Sequence, residues 1–360
     1  MSLTQGLRAS KPAAHPPREM RQDTRADGAS GVGPRPTDGS GGAGTVSVVM
    51  VSLDCDRLFD LVFPALLRQT HRPLEVIVVD NGSSAGSMER LRSVYPWVTV
   101  MALHRNFGFS HAANAGIRRA RGEYILSLNF DIVLEPTFVE RLVSAVQDDA
   151  RIGWAAGCLM RLTDSGPTAD IDCAGHHLTR SRRAHGFDLS GSLQLRGDAG
   201  GADVFGASAC AALYRRTMLD DIAVDGEWFD EDFFAYYEDV DVDWRAQHRG
   251  WRCRYVPDAV GYHIRGGAGL IRRPGIAACD FSNRILMIVK NDSPSALLRD
   301  WYPVLRATVR DVVTYGFPDP RAAIIGIYRI VRYLPRMVKK REAIMARSLA
   351  GSGHFEQLIH

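Results

Sequence analysis

The sequence predicts an α/β fold: a Rossmann-like, mostly parallel sheet flanked by helices, with a helical C-terminal extension. Three observations carry this expectation. From residue 45 to about 131, short β-branched apolar runs alternate with amphipathic helical stretches, the pattern of βαβ units with right-handed crossovers. Each apolar run ends in polar residues, where open sheets of this type bind their ligands. Beyond about residue 280 the alternation gives way to helical, basic sequence.

Residues 1–44 are rich in Gly, Pro, Ala, Arg and Asp and end in "GVGPRPTDGSGGAGT". Such a segment cannot bury enough apolar surface to offset its ordering entropy, so a disordered tail is expected. No apolar run follows its basic residues, so no secretory signal is expected. Order begins at "TVSVVMVS", suited to a buried parallel strand. The amphipathic "RLFDLVFPALLRQ" follows, then a second buried strand, "LEVIVVDNGSS", ending in turn residues. Next come a helical pattern "SMERLRSVY", a strand "VTVMAL", a helical pattern "SHAANAGIRRA" and a strand "EYILSLNFD". From about 150 to 260 the alternation loosens. "DVFGASACAALYRR" is expected to be one strand lined with small residues, where backbone or ligand comes close. "DVDWRAQHRGW" is expected to be a short helix stopped by Gly250. The expected organisation is a tail over 1–44, an α/β domain over 45–291 and a basic helical extension over 292–360.

The 360 residues, 46% of them hydrophobic, suffice for one large domain with attachments or for two domains. The net charge of +3 predicts no nucleic-acid partner. That charge is uneven: residues 296–347 hold 11 Lys or Arg and four Asp or Glu, a net +7, so the remainder sums to −4. The six cysteines form no C-x-x-C pair, which argues against a zinc or redox motif and for reduced thiols in the cytoplasm. No apolar run is long enough to span a bilayer.

The strand ends supply candidate ligand-binding residues: Ser52, then Asp80, Gly82 and Ser83, then Asn106 and Gly108, then Asn129 and Asp131. A strand-end Asp such as Asp80 can accept from a ribose or base, and small residues after it admit a nucleotide; an ordinary β-to-α turn is the alternative. Asn106 to Phe109 feed a helix whose N-terminal end suits phosphate. Asn114 and Gly116, poor helix formers inside a helical pattern, point to a close approach. Asp131 is a candidate ligand for Mg²⁺ or Mn²⁺, with a helix cap before Glu135-Pro136 as the alternative. "FDEDFFAYYEDVDVDWRAQHRG" (229–250) sets seven carboxylates among Phe233, Phe234, Tyr236 and Tyr237. The helix dipole and capping account for Asp239, Asp241 and Asp243. A carboxylate against apolar walls can instead be a general base. His263 is a structural histidine or, beside a cation on Asp131, a further donor.

Taken together and in this order, "VSVVMVS", "LEVIVVDNGSS", "NFGFSHAANAGIRRARGEYILSLNFD", "FDEDFFAYYEDVDVDWRAQHRGW" and "VPDAVGYH" resemble inverting glycosyltransferases of family 2, of GT-A fold, and most closely the bacterial rhamnosyltransferase-like group. The resemblance spans roughly residues 46–291. It implies that Asp80 reads the nucleotide base and that Ser52, Gly82, Ser83, Asn106, Gly108, Asn114 and Asn129 surround the donor. It implies that Asn129 and Asp131 hold a divalent metal and the diphosphate, that His263 completes the metal shell, and that the Glu238–Asp239 pair supplies the base. The chain departs from the group's pattern at Ser52-Leu53-Asp54, usually Thr-Tyr-Asn, and at Phe130, usually Pro. The implied donor is dTDP-rhamnose or a UDP- or GDP-sugar, and the implied acceptor a sugar, a lipid-linked sugar or a small molecule. The implied setting is bacterial polysaccharide, cell-wall or glycoconjugate synthesis. The alternatives are a non-catalytic sugar-nucleotide-binding domain and an enzyme acting on a soluble natural product. The basic C-terminus is expected either to pack on the domain or to bind peripherally at the inner face of the membrane.

Overall fold

A computed structural model describes residues 44–72, 74–84, 86–186, 201–264, 274–316, 319–349 and 359. The tail expected over 1–44, apart from Gly44, lies outside them, as do residues 187–200. The first half follows the expected alternation: β1 (Val46–Ser52), α1 (Phe59–Leu67), β2 (Leu74–Asp80), α2 (Ser87–Val94), β3 (Thr99–Ala102), α3 (Phe109–Arg119) and β4 (Tyr124–Leu128). These strands lie parallel in the order β3-β2-β1-β4. β1 and β4 are covered on both faces, which is why they read as continuous Val, Ile and Leu rather than as an alternation. The register sets Ser52 opposite Asp80 and Asp80 opposite Ala102, so three strand-end turns share one edge.

The second half adds β5 (Ile132–Leu134), α4 (Phe138–Gln147), β6 (Ile152–Thr163), β7 (Gly166–Cys173), the hairpin β8 (His176–Leu178) and β9 (Ala184–Gly186), β10 (Ala202–Val204), β11 (Ala211–Arg215), α5 (Arg216–Ile222), α6 (Glu238–His248) and β12 (Arg252–His263). β11 runs antiparallel between β4 and β6, and β12 runs parallel to β6. The single strand expected over 203–216 is therefore two, β10 pairing β12 and β11 pairing β4 and β6. The small residues between them form a loop whose backbone N–H groups donate to buried carboxylates, which a ladder strand could not do.

One apolar cluster joins α1, α2 and α4 to the sheet and a second joins α3, α5 and α6. Phe130 sits in the first, 2% exposed, with the rings of Phe59 and Phe63 at 5.4 and 6.0 Å. Packing thus anchors the turn that bears Asn129 and Asp131. A third cluster joins Phe233, Val240 and Trp244 to the helices α7 (Pro274–Asn291) and α10 (Pro320–Ala346). Between those two lie α8 (Pro294–Arg299) and α9 (Trp301–Asp311). No helix among the described residues is long and apolar enough to cross a membrane.

Candidate active site

On the strand-end edge, Asp80 is 7% exposed and its Oδ1 accepts from the Ser83 N–H at 2.9 Å, which folds the 80–83 turn around its own carboxylate. Gly82 has φ +85, and a Cβ there would lie 2.5 Å from the Arg105 backbone, so only glycine lets these two turns meet. Asn81 joins them: its Nδ2 donates to Asn106 Oδ1 and its Oδ1 accepts from the Phe107 N–H. Gly108, at φ +91, would put a Cβ 2.5 Å from the Phe234 carbonyl, so the 106–108 loop lies directly against the acidic stretch.

Asp131 is 4% exposed and its Oδ1 is buried with no hydrogen-bond partner. Its Oδ2 lies 3.6 Å from His263 Nε2, and His263 Nδ1 lies 2.7 Å from Asp172 Oδ2. Asp172 therefore orients the imidazole so that Nε2 faces Asp131, as outer carboxylates orient metal-ligating histidines. Burial alone would lower the His263 pKa, but Asp131 and Asp172 outweigh it and raise it. Among the described residues no three His, Cys, Asp or Glu side chains cluster as a closed cage. A buried orphan carboxylate oxygen and an oriented imidazole do fit a Mg²⁺ or Mn²⁺ ion that takes its remaining donors from phosphate and water.

The acidic stretch divides by function. Asp230 and Asp232 are 2% and 6% exposed. Lys290 and Lys340 approach Asp230 at 2.7 and 2.6 Å, and Lys340 and Arg336 approach Asp232 at 3.0 and 2.6 Å. Asp241 stands in the first turn of α6 as expected, Asp243 lies just beyond it, and both are wholly buried. Asp241 pairs with Arg245 and Lys290. Burial demands such partners, since an unpaired charge in the interior is costly. The chain from 234 to 237 is strained: Phe234, Tyr236 and Tyr237 have φ of 66, 70 and 67°, a region unfavourable to bulky side chains. Asn283 Nδ2 donates to the carbonyls of Phe233, Ala235 and Tyr236, and Arg329 donates to Asp232 and Phe233.

This clamp delivers Glu238 and Asp239 to the first turn of α6. Asp239 Oδ2 accepts from the Ala209 N–H at 3.1 Å and from the Ser208 hydroxyl at 3.4 Å. Glu238 is 7% exposed with Oε2 unpartnered, and burial and the neighbouring Asp239 charge raise its pKa. The 208–210 loop joins the two halves of the site, because the Asn129 N–H donates to the Cys210 carbonyl at 2.8 Å.

Behind Asp239 stands His176, with Nε2 3.7 Å from Asp239 Oδ2 and Nδ1 2.8 Å from Asp243 Oδ2. Trp154 Nε1 and the Ala207 N–H donate to Asp243 Oδ1. Burial pushes the Asp243 carboxyl up to about 6. Burial alone would lower His176, but the Asp239 charge and the Asp243 bond outweigh it and push it up to about 9. A histidine raised in the fold stabilises fully below its ordinary pKa of 6.5 and loses that contribution as pH rises through about 9. Urea unfolding of His176→Gln is therefore expected to show a deficit on the order of 2–3 kcal/mol at neutral pH that closes above pH ~9. A deficit constant across that window would mean that His176 folds uncharged.

The sequence matches the family Glycosyl transferase family 2 over residues 47–223. The chain carries a family 2 glycosyltransferase domain. It is 26% identical over 216 residues to an N-acetylglucosaminyl-diphospho-decaprenol L-rhamnosyltransferase of Mycobacterium tuberculosis, covering 54% of this chain and 67% of that one. It is 29% identical over 201 residues to an N-acetylglucosaminyltransferase of Mesorhizobium japonicum, covering 52% of this chain and 43% of that one. Its fold is similar to GalNAc-T7, solved with UDP, GalNAc and Mn²⁺, at TM-score 0.57 and 13% identity, over 87% of this chain and 56% of that chain. It is also similar to Staphylococcus aureus TarS 1-349 in complex with UDP-GlcNAc, at TM-score 0.54 and 13% identity, over 84% and 90%.

In the glycosyltransferase, Ser52, Asp80, Gly82, Ser83, Asn106 and Gly108 gather at the strand ends, and Asn129, Asp131 and His263 on the other side of β1. Asn114 is a correction: it is fully buried, and its amide is spent on the Phe229 backbone and Glu231, so it positions the acidic stretch and does not face a donor. Sequence reasoning missed Asn81, Asp172 and His176, and missed the role of Asp243. Asn81 sits inside the quoted "VVDNGSS". His176 lies in a segment whose pattern gave no chemistry, and only its contact with α6 reveals it.

Proposed function

We propose that this glycosyltransferase moves a sugar from a nucleoside diphosphate donor to an acceptor hydroxyl in a single displacement with inversion. The observation that carries this reading is the 208–210 loop, which ties the Asn129–Asp131 turn to Asp239, so Asp131 as the diphosphate-side carboxylate and Asp239 as the base would share one site. Asp80 has one carboxylate oxygen engaged by its own turn and would turn the other to the nucleoside. Asp131 and His263 would hold a divalent cation, with Asn129 beside them. Bound there, the cation would neutralise the charge that develops on the departing diphosphate. Asp239 would accept the proton of the attacking hydroxyl, while Glu238 and the aromatics from 234 to 237 wall the pocket from water. dTDP-, UDP- and GDP-sugars are the donor class, and a lipid-linked sugar at a membrane surface is the favoured acceptor. In support, α9 and α10 expose Trp301, Tyr302, Leu305, Tyr328 and Val331 between basic residues, which suits peripheral contact with an anionic leaflet.

Calorimetry with a panel of nucleotide sugars tests the metal assignment. Asp131→Ala is expected to abolish transfer and to weaken donor binding only when Mn²⁺ or Mg²⁺ is present. Wild-type activity with unaltered metal dependence in that variant would remove Asp131 from the metal site.

A further inference from the structure

A cavity of about 690 Å³ lies between α9 and the Thr179–Arg183 turn that joins β8 to β9. It is lined by Arg180, Arg183, His185, Tyr302, Arg306 and Arg310 among others. Arg180 pairs with Asp300, and Arg183 with Asp311, which also holds Arg284. Arg306 and Arg310 are exposed, and no carboxylate among the described residues pairs with either. Burial lowers the His185 pKa, and the Arg183 and Arg310 charges add to the lowering. Tyr302, Arg306 and Arg310 are spaced four residues apart, so they form one stripe of α9. The neighbouring stripe is Trp301, Leu305 and Val309, which are 59%, 51% and 54% exposed. A cationic cavity beside an exposed apolar stripe complements an anionic head on a hydrocarbon chain.

The cavity also adjoins the base. β8 begins at His176 beside Asp239 and reaches the cavity wall at Thr179, about 10 Å along the strand. Tyr237, immediately before Glu238, lies within the fields of Arg183 and Arg284. That separation is what one sugar ring bearing a phosphate would bridge.

We propose that this cavity holds the diphosphate of a lipid-linked acceptor, with its chain along the apolar stripe and its sugar hydroxyl directed at Asp239. The assignment rests on the glycosyltransferase reading of the site and adds the acceptor's chemistry. Arginine suits the task, because its planar fork bonds phosphate oxygens in pairs.

Two measurements on the full chain test it, with Arg306→Ala/Arg310→Ala as the probe variant. Both arginines are exposed, so the variant should fold, and its unfolding midpoint checks this. In the first, inorganic pyrophosphate is titrated with a chelator present. Wild type and Asp131→Ala are expected to bind alike, and the double variant at least about tenfold more weakly. In the second, phosphatidylcholine vesicles doped with a polyprenyl diphosphate are compared with phosphatidylglycerol vesicles of equal charge. The doped vesicles are expected to retain wild type better, and the double variant is expected to erase the difference. Pyrophosphate binding unaltered by the double substitution, or absent from wild type, overturns the proposal. Equal retention by both vesicles makes the surface a general anionic-lipid contact and overturns it too. Because the titration needs neither donor nor turnover, it stands or falls apart from the reaction assigned to the site.

Discussion

Asp239→Asn is expected to lower the turnover rate constant about 10²- to 10⁴-fold while donor affinity changes little. A general base acts only as the proton leaves, so its loss appears in the rate and not in ground-state binding. The choice of Asp239 over Glu238 rests on their surroundings. Asp239 carries the donors that an anion needs, the Ala209 and Val240 N–H groups and the Ser208 hydroxyl, with His176 behind it. Glu238 is more buried, has an unpartnered oxygen, and is pushed towards its protonated form. Adjacent carboxyls whose environments differ in this way divide acid and base roles between them. Single-turnover kinetics with saturating donor would measure the step. If Glu238→Gln were the inactive variant and Asp239→Asn retained turnover, the roles would be exchanged.

Much of the strand-end half of the candidate site was legible because strand ends advertise themselves. A buried β-branched run followed by Asp-Asn-Gly-Ser specifies both the strand and the turn, and Gly82 and Gly108 occupy positions where a side chain would collide with backbone. The acidic stretch of the candidate site stood out in the sequence, but the partners of its acids did not. Local sequence explains acids at a helix start by the dipole, but Asp241 and Asp243 are explained by Lys290 and His176, 49 and 67 residues away. No periodicity encodes such pairs. For the same reason the sequence offered the basic C-terminal helices as packed on the domain or bound at a membrane without showing that Lys340 and Arg336 pair with Asp230 and Asp232. The expected strand over 203–216 failed because Gly, Ala and Ser suit a ladder as well as they suit a loop crossing buried carboxylates.

Lys340→Met is expected to destabilise the protein by about 3–5 kcal/mol, because it removes one partner from a buried ion network. Lys340 is 4% exposed and bridges Asp230 and Asp232 from the far end of α10. Burial alone would raise Asp230, but Lys290 and Lys340 outweigh it and hold its carboxyl well below the usual range. A depressed carboxylate stabilises the fold above its ordinary pKa and loses that contribution as pH falls through the lower folded value. The Lys340→Met deficit should therefore be largest near neutral pH and shrink in acid. Lys290 and Arg336 still reach the two carboxylates, so the variant should fold at reduced temperature. Asp230 and Asp232 lie just before the strained 234–237 backbone that sets Glu238 and Asp239 in place, so turnover should fall even where the variant is fully folded. Thermal unfolding from about pH 2 to 8, paired with kcat well below the transition, measures both effects. An unchanged melting temperature with wild-type kcat would show that α10 packs beside the acidic stretch without supporting it.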